Sequence, residues 1–329
     1  MCSGAADDQE LQTMHKLSGH SMEHPNINIL LDSFHVTGPN GVHLCLVFPL
    51  LGPSVRLMWG RLAKSTRHRV CRQAASGVAF LHEQGICHGD LTLSNILFEL
   101  HDIQTWSEAQ IYDYFGAIRT AELRLHNGSY SEHGPKEVVR ALEFTKIEDH
   151  LLGNIRIIDF GQSFSANEPP TELGTPLFYF PPELCFGYLP SKKSDVWALA
   201  CIIFEVQTWR PLVIMVFQSF EILLGSLRFT LGLLPAEWKT RYSDDYASED
   251  LRGQGAPEIW FNEEFPLRWP FPSLIDEKAS HLSPGEKEEL LHLLKAMLVF
   301  EPSQRISVKE VLDHPWMRET SSGDDLAST

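Results

Sequence analysis

The chain has 329 residues, 43% hydrophobic and 21% charged, which is enough apolar material for a large core and excludes a chain disordered as a whole. Its formal net charge of −16 speaks against a nucleic-acid-binding surface and fits either a cationic partner or a solvated acidic exterior. The six cysteines form no CxxC and mostly sit inside apolar patterns, so they are expected to be reduced core residues of a cytoplasmic or nuclear protein.

Residues 1–12 carry neither a basic nor an apolar leader region, so no secretory signal is expected and the sequon at Asn127 to Ser129 carries no meaning. Leu11, Met14 and Leu17 fall at helical spacing behind Asp7 and Asp8, which predicts a short helix over 7–18 carrying Glu10. Two apolar runs, Ile27 to Val36 and Val42 to Phe48, flank Gly38-Pro-Asn-Gly41 and read as a hairpin. Pro49 to Pro53 must be a linker, because two prolines and a glycine break any ladder. Thr66 to Glu83 is an amphipathic helix with Val70, Ala74, Val78 and Leu81 on one stripe, stopped at Gly85. His20 and His24 have i, i+4 spacing but no third ligand, so they are expected to be solvated loop histidines.

Ile86 to Phe98, ICHGDLTLSNILF, then reads as strand, polar turn and strand, with Asp90 and Asn95 five residues apart. Such spacing suits phosphoryl transfer: an Asp takes or orients the acceptor hydroxyl proton, and an Asn on the same loop holds a Mg²⁺ bridging nucleotide phosphates. The bland alternative is a polar hairpin turn. Ile155 to Gly161, IRIIDFG, ends an apolar run in Asp159-Phe-Gly and offers a second metal ligand. Between the two lies a polar insertion, about 101–152, with a helix over Trp106 to Phe115, read as a decorated loop outside the core. Ser191 to Gln207 is apolar almost all round and should be a buried central helix. Leu212 to Leu234 is interrupted by Gln218, Glu221 and Arg228, so it reads as packed helix and not as a membrane span. Helices are expected over 215–225, 284–299 and 307–313, with an aromatic, proline-rich and acidic connector before the second, and a disordered tail over 319–329.

In this order the motifs resemble the C-terminal lobe of a eukaryotic protein kinase, across residues 24–318. His88-Gly-Asp90 resembles HRD, Asn95 the metal-binding Asn, Asp159-Phe-Gly161 DFG and Pro181-Pro-Glu183 APE. Asp195-Val-Trp197 resembles the start of the central helix, and Arg305 the partner of the APE Glu. Within the kinases, LLDSF at 30–34, GPNGVHLCLVFPLLGPS at 38–54, WSEAQIYDYFG in the insertion and DFGQSF at 159–164 are similar to SR-protein kinases of fungal type. The resemblance implies an α+β, kinase-like fold: a mostly helical C-lobe over 52–318 and a truncated β N-lobe with hinge over 1–51. It further implies a protein serine/threonine kinase using ATP and Mg²⁺, whose protein substrate is Arg/Ser-rich, with no nucleic acid and no membrane as partner. Asp90 would accept the hydroxyl proton, and Asn95 and Asp159 would hold Mg²⁺. Phe48, Pro49, Leu51, Leu97 and Ile158 would surround ATP, with the Pro49 carbonyl and the Leu51 N–H facing adenine. Thr175 would shape the acceptor site. Met14, His88 and Phe160 would stack as a spine, and Glu183, Asp195 and Arg305 would be structural. Asp244 to Asp250, with Glu263 and Glu264, would dock the basic substrate or form a solvated surface.

Three positions depart from the pattern. Upstream of Glu10 there is neither a glycine-rich loop nor a VAIK-type Lys, so Glu10 is expected to lack its ion-pair partner and the chain to be truncated at its N-terminus. Thr92 replaces a Lys that neutralises the transferred phosphate. Gly89 replaces the Arg that receives an activation-loop phosphate, so phosphorylation within 162–175 is not expected to switch this chain. The competing classes are a catalytically impaired scaffold and a small-molecule phosphotransferase, since HGDxxxxN also occurs in the latter; the Glu183, Asp195 and Arg305 set opposes it.

Overall fold

In the computed structural model the described residues are 6–18, 24–38, 40–101, 103–141, 147–215, 217–242 and 253–318. Among them, eight α-helices accompany four separate two-stranded sheets, an α+β architecture in which helices supply most of the core. The tail over 319–329 and the acidic run Asp244 to Asp250 lie outside the described residues, as does His20.

Helix α1 (Ala6–Ser18) turns Met14 and Leu17 inward, as its spacing requires. Strands β1 (Asp32–Gly38) and β2 (Gly41–Val47) form the antiparallel hairpin, in register from Asp32 with Val47 to Gly38 with Gly41. The first strand is shorter than its apolar run. Ile27 instead bridges Ile157, with the Asn28 N–H on the Ile157 carbonyl at 3.0 Å and the Ile157 N–H on the Asn26 carbonyl at 2.8 Å. Those backbone groups are already satisfied, so the ladder begins only at Asp32. Phe34, Val36 and Val42 stay exposed on this hairpin.

Helix α2 (Lys64–Glu83) buries Val70, Cys71, Ala74, Val78 and Leu81. Strands β3 (Ile86–Cys87) and β4 (Ile96–Leu100) do not pair with each other, so the polar segment between them is no hairpin turn. β4 pairs with β7 (Leu151–Ile157), and β3 with β8 (Phe164–Ser165). In the insertion, α3 (Glu108–Phe115) starts two residues later than expected because Ser107 and Gln110 close a capping box. Its hairpin, β5 (Thr120–Glu122) with β6 (Glu137–Val139), is exposed. The insertion is not wholly outside the core, however: Ile103 and Ile147 anchor its two ends there.

Helix α4 (Lys192–Thr208) is buried almost throughout. Helix α5 (Phe220–Leu231) begins five residues beyond the expected start, where the Ser219 side chain accepts the Ile222 N–H. The connector contains an unexpected helix, α6 (Phe271–Lys278), because prolines fit the first helical turn, whose N–H groups need no carbonyl partner. Helices α7 (Pro284–Met297) and α8 (Val308–Asp313) complete the fold. No helix of the described residues is long and apolar enough to cross a membrane. Cys71, Cys87, Cys185 and Cys201 are buried free thiols, and Cys45 is half-buried.

His24 is not a solvated loop residue. It stacks on Phe80 at 4.9 Å, accepts the Asn26 N–H and bonds Ser76, so it joins the loop after α1 to α2.

Candidate active site

The segment 88–95 is held from below by one buried carboxylate. Asp195, in the first turn of α4, accepts the His88 N–H at 2.9 Å, the Gly89 N–H at 3.1 Å and the His82 ring at 2.8 Å. Burial pushes its carboxyl up, but the His82 hydrogen bond, the two nearby histidines and the His88 N–H outweigh this and hold it below the ordinary range. Cys87 lies close to both, and the three side chains have ligand atoms within 4.8 Å of one another. They are better read as an anchor than as a metal centre, since Asp195 already spends both oxygens on the loop.

Two further bonds orient the segment. The His88 Nδ1 accepts the Asp90 N–H, so its proton sits on Nε2, which donates to the Ile158 carbonyl at 3.1 Å. The Ile158 N–H in turn reaches the Asn95 carbonyl at 2.9 Å. Residues 88–95 and the Asp-Phe-Gly turn are thereby clamped together. His88 packs on Phe160 at 5.2 Å, and Met14 is buried in the same core.

Asn95 donates Nδ2 to the Asp90 carbonyl at 2.9 Å and to its Oδ2 at 3.2 Å. The other carboxylate oxygen, Oδ1, is buried without a hydrogen-bond partner. Burial raises the pKa of Asp90, and the Asp159 charge adds to the rise, while His88 and the Asn95 bond oppose it. The two carboxylates are therefore near enough to repel. Asp159 has φ +66, a left-handed conformation in which a non-glycine residue is strained by roughly 1–2 kcal/mol. With Nδ2 committed to Asp90, the amide oxygen is the metal-donor atom that Asn95 has to offer. The Asp159 carboxylate and the Asn95 amide oxygen are hard-oxygen donors, of the kind that suits Mg²⁺.

Two cavities flank this region, one against the Asp-Phe-Gly turn and one against residues 88–95. One, about 510 Å³, is lined by Phe48, Pro49, Leu51, Leu97, Ile158 and Asp159, together with Glu10 and Asn28. The other, about 330 Å³, is lined by Asp90, Thr92, Asn95, Tyr179 and Glu205, with Arg56 at its edge. The residues that the resemblance assigned to ATP line the first cavity together with Asp159, whereas Asp90 and Asn95 line the second. Thr175 is buried and donates to the Gly89 carbonyl at 2.6 Å, bracing the segment from the far side. Glu10 is not idle for want of a lysine: its carboxylate accepts the Phe160 N–H at 3.3 Å. Glu183 and Arg305 form the expected buried pair at 2.9 Å.

Arg56, Tyr179, Glu205 and Asn28 had no place in the sequence reading. For Glu205 a signal existed, a carboxylate inside the otherwise apolar run of α4. Asn28 carries a buried Oδ1 without a partner beside the first cavity.

Gly89 has a geometric reason to be glycine. Its φ is +77, and a Cβ there would stand 2.3 Å from the Gln162 carbonyl oxygen. Gly89→Ala is expected to lower stability by more than the ~1 kcal/mol of a simple left-handed penalty, because backbone must move as well. Denaturant unfolding of the variant checks this; an unchanged midpoint would show that the contact relaxes freely.

A loop anchored by a helix carboxylate and bonded across to an Asp-Phe-Gly turn, beside an apolar cavity, is the plan of a protein kinase. Comparison agrees: a family profile described as "Protein kinase domain" matches residues 146–317, just over half of the chain. The chain belongs to that family. It is 26% identical to serine/threonine-protein kinase AFC1 of Arabidopsis thaliana, over 83% of this chain and 55% of the relative. It is 25% identical to serine/threonine-protein kinase AFC3 of the same plant, over 85% of this chain and 64% of the relative. Against serine/threonine-protein kinase SRPK of Physarum polycephalum identity is 25%, over 88% of this chain and 70% of the relative. Within the family, these relatives of SRPK and AFC kind are what the chain is similar to, and it spans less than two thirds of the length of the two AFC relatives.

Proposed function

We propose that this chain is the catalytic part of a serine/threonine kinase of the SR-protein kinase type, moving the γ-phosphoryl of ATP to a protein hydroxyl. The observation that carries the reading is Asp90: a carboxylate fixed on one oxygen by Asn95, with its other oxygen left without a partner beside a cavity. That free oxygen accepts the hydroxyl proton. Asn95 and Asp159 hold Mg²⁺, which when bound neutralises charge on the phosphates. Phe48, Pro49, Leu51, Leu97 and Ile158 enclose the base and sugar; Pro49 contributes an acceptor carbonyl and no donor. Thr175 keeps the Gly89 backbone in place under the acceptor.

A basic, Arg/Ser-rich substrate is favoured by the −16 charge and by exposed Glu263 and Glu264. Buried free thiols support a reducing compartment, cytoplasm or nucleus. A binding-only scaffold is the second reading, favoured by the buried Thr92 in the acceptor cavity, which brings no positive charge to a transferred phosphoryl.

The test is thermal shift with Mg-ATP, followed by labelled phosphate transfer to an Arg-Ser repeat peptide. At 100 times Kd, nucleotide should stabilise the chain by about 2.7 kcal/mol. Asp159→Asn should lose most of that shift, since Asn keeps the left-handed backbone and removes the charge. Equal shifts in both proteins, or none in either, overturn the nucleotide assignment; a shift without transfer selects the scaffold.

A further inference from the structure

The cavity proposed for the nucleotide base has in its wall one polar side chain that the proposed reaction does not use. Asn28 is only 5% exposed and its Oδ1 is buried without a hydrogen-bond partner, yet it lines this cavity with Phe48, Leu97 and Ile158. Asn26, two residues earlier and as deeply buried, shows what such an amide does when its role is structural. Its Nδ2 donates to the Gln73 Oε1 at 3.2 Å and to the Ile155 carbonyl at 3.1 Å. A buried acceptor left without a donor costs stability, so an unpaired amide in a cavity wall points to a donor that arrives with a ligand.

The backbone fixes where this amide stands. The Asn28 N–H is on the Ile157 carbonyl at 3.0 Å, next to Ile158, and the Leu31 N–H is on the Val47 carbonyl at 2.8 Å, next to Phe48. Asn28 is thus carried by a segment tied at one end to the wall at Ile158 and at the other to the wall at Phe48. Its backbone donor is spent, so the side chain is what it offers to a ligand. On an adenine base the N–H donors belong to the exocyclic amine, which has two protons. With the Pro49 carbonyl taking one, the second lies along the edge that also carries N7. An Asn amide matches that edge, its oxygen meeting the amine and its NH₂ meeting N7. Guanine presents two acceptors there, which leaves the amide oxygen opposed by another oxygen.

We propose that Asn28 is a specificity-determining residue that reads the amine-and-N7 edge of adenine from the inner wall of the cavity. Oδ1 accepts the second amine proton and Nδ2 donates to N7. The base is then held on two edges, by backbone groups of the linker and by the side chain of Asn28. The inference rests on the nucleotide reading and deepens it, since it names which purine the cavity takes and through which atoms.

The experiment titrates the chain with the magnesium complexes of ATP and of 7-deaza-ATP, which keeps the amine and N1 but has carbon in place of N7. Wild-type affinity is expected to be about fivefold or more weaker for 7-deaza-ATP, because the Asn28 NH₂ loses its acceptor in a buried site. Asn28→Val should bring the two affinities within about twofold of each other, chiefly by weakening ATP. Without nucleotide, Asn28→Val should melt no lower than the parent, because it removes a buried polar group that has no partner.

Equal wild-type affinities for ATP and 7-deaza-ATP overturn the inference, and this arm needs no variant to fold. A discrimination that persists unchanged in folded Asn28→Val overturns it equally. So does a lower melting temperature for that variant, which would assign the amide to the fold and not to a ligand. Binding of neither nucleotide removes the nucleotide reading itself, a result distinct from binding both without discrimination.

Discussion

Asp90→Asn is expected to lower the rate of phosphoryl transfer by about 10²–10⁴, the range for loss of a positioned general base. The substitution keeps the shape and the bond partners of the side chain, so the Asn95 contact has an amide to meet in place of the carboxylate. What it removes is the basic oxygen, Oδ1, which has no partner of its own in the fold. Nucleotide affinity should change little, because Asp90 lines the acceptor cavity and not the one bounded by Phe48 and Pro49. Single-turnover transfer with Mg-ATP, set beside nucleotide titration, separates the two effects.

The same residue sets a pH dependence. Burial first, and the Asp159 charge second, raise its pKa above that of an ordinary carboxylate. It must be ionised to accept a proton, so transfer should rise with pH on an acid limb lying above the usual carboxylate value, and Asp90→Asn should lack that limb. A raised carboxylate pKa also means that the folded state disfavours the ionised form near neutrality. The variant should therefore melt no lower than the parent at neutral pH. A variant that loses transfer only because it has unfolded would contradict this account.

Arg305→Ala should be the most destabilising single change. The guanidinium makes two bonds of 2.9 Å to Glu183, and donates to the carbonyls of Val299, Lys193 and Phe300. It also lies over Trp197 at 5.0 Å. Both partners are 1% exposed. Truncation strands a buried carboxylate and three carbonyls, and breaking such a pair from one side costs about 3–5 kcal/mol. At roughly 2–4 °C per kcal/mol, the melting temperature should fall by on the order of 10 °C. The double variant Glu183→Leu/Arg305→Met, which removes both charges, should recover much of the loss, because a matched apolar pair has no desolvation penalty. Calorimetric unfolding of the single and double variants decides it; equal melting of Arg305→Ala and the parent would sink the assignment.

Much of this was legible along the chain. The amphipathic stripe of α2, the apolar run of α4 and the Gly38 to Gly41 turn are local patterns, and local patterns set helix and hairpin periodicity directly. Boundaries moved where a side chain intervened, as with Ser107 before α3 and Ser219 before α5. The helix Phe271–Lys278 was hidden because proline reads as a breaker unless it falls in the first turn. The truncated strand after Ile27 was hidden because its competitor, Ile157, lies 130 residues further on.

The residues of the site divide in the same way. Asp90, Asn95 and Asp159 could be picked out from the sequence because their chemistry demands particular residue types at short spacing. The clamp through Ile158 and His88, the division of Asp90 and Asp159 between two cavities and the pairing of Glu205 with Arg56 all depend on segments far apart in the chain. Short-range spacing determines which groups are available, since it acts through bonds and backbone geometry. Only the folded packing decides which of them share a cavity, which are already partnered and which carboxylate is left free, because burial and hydrogen bonding are properties of neighbours in space.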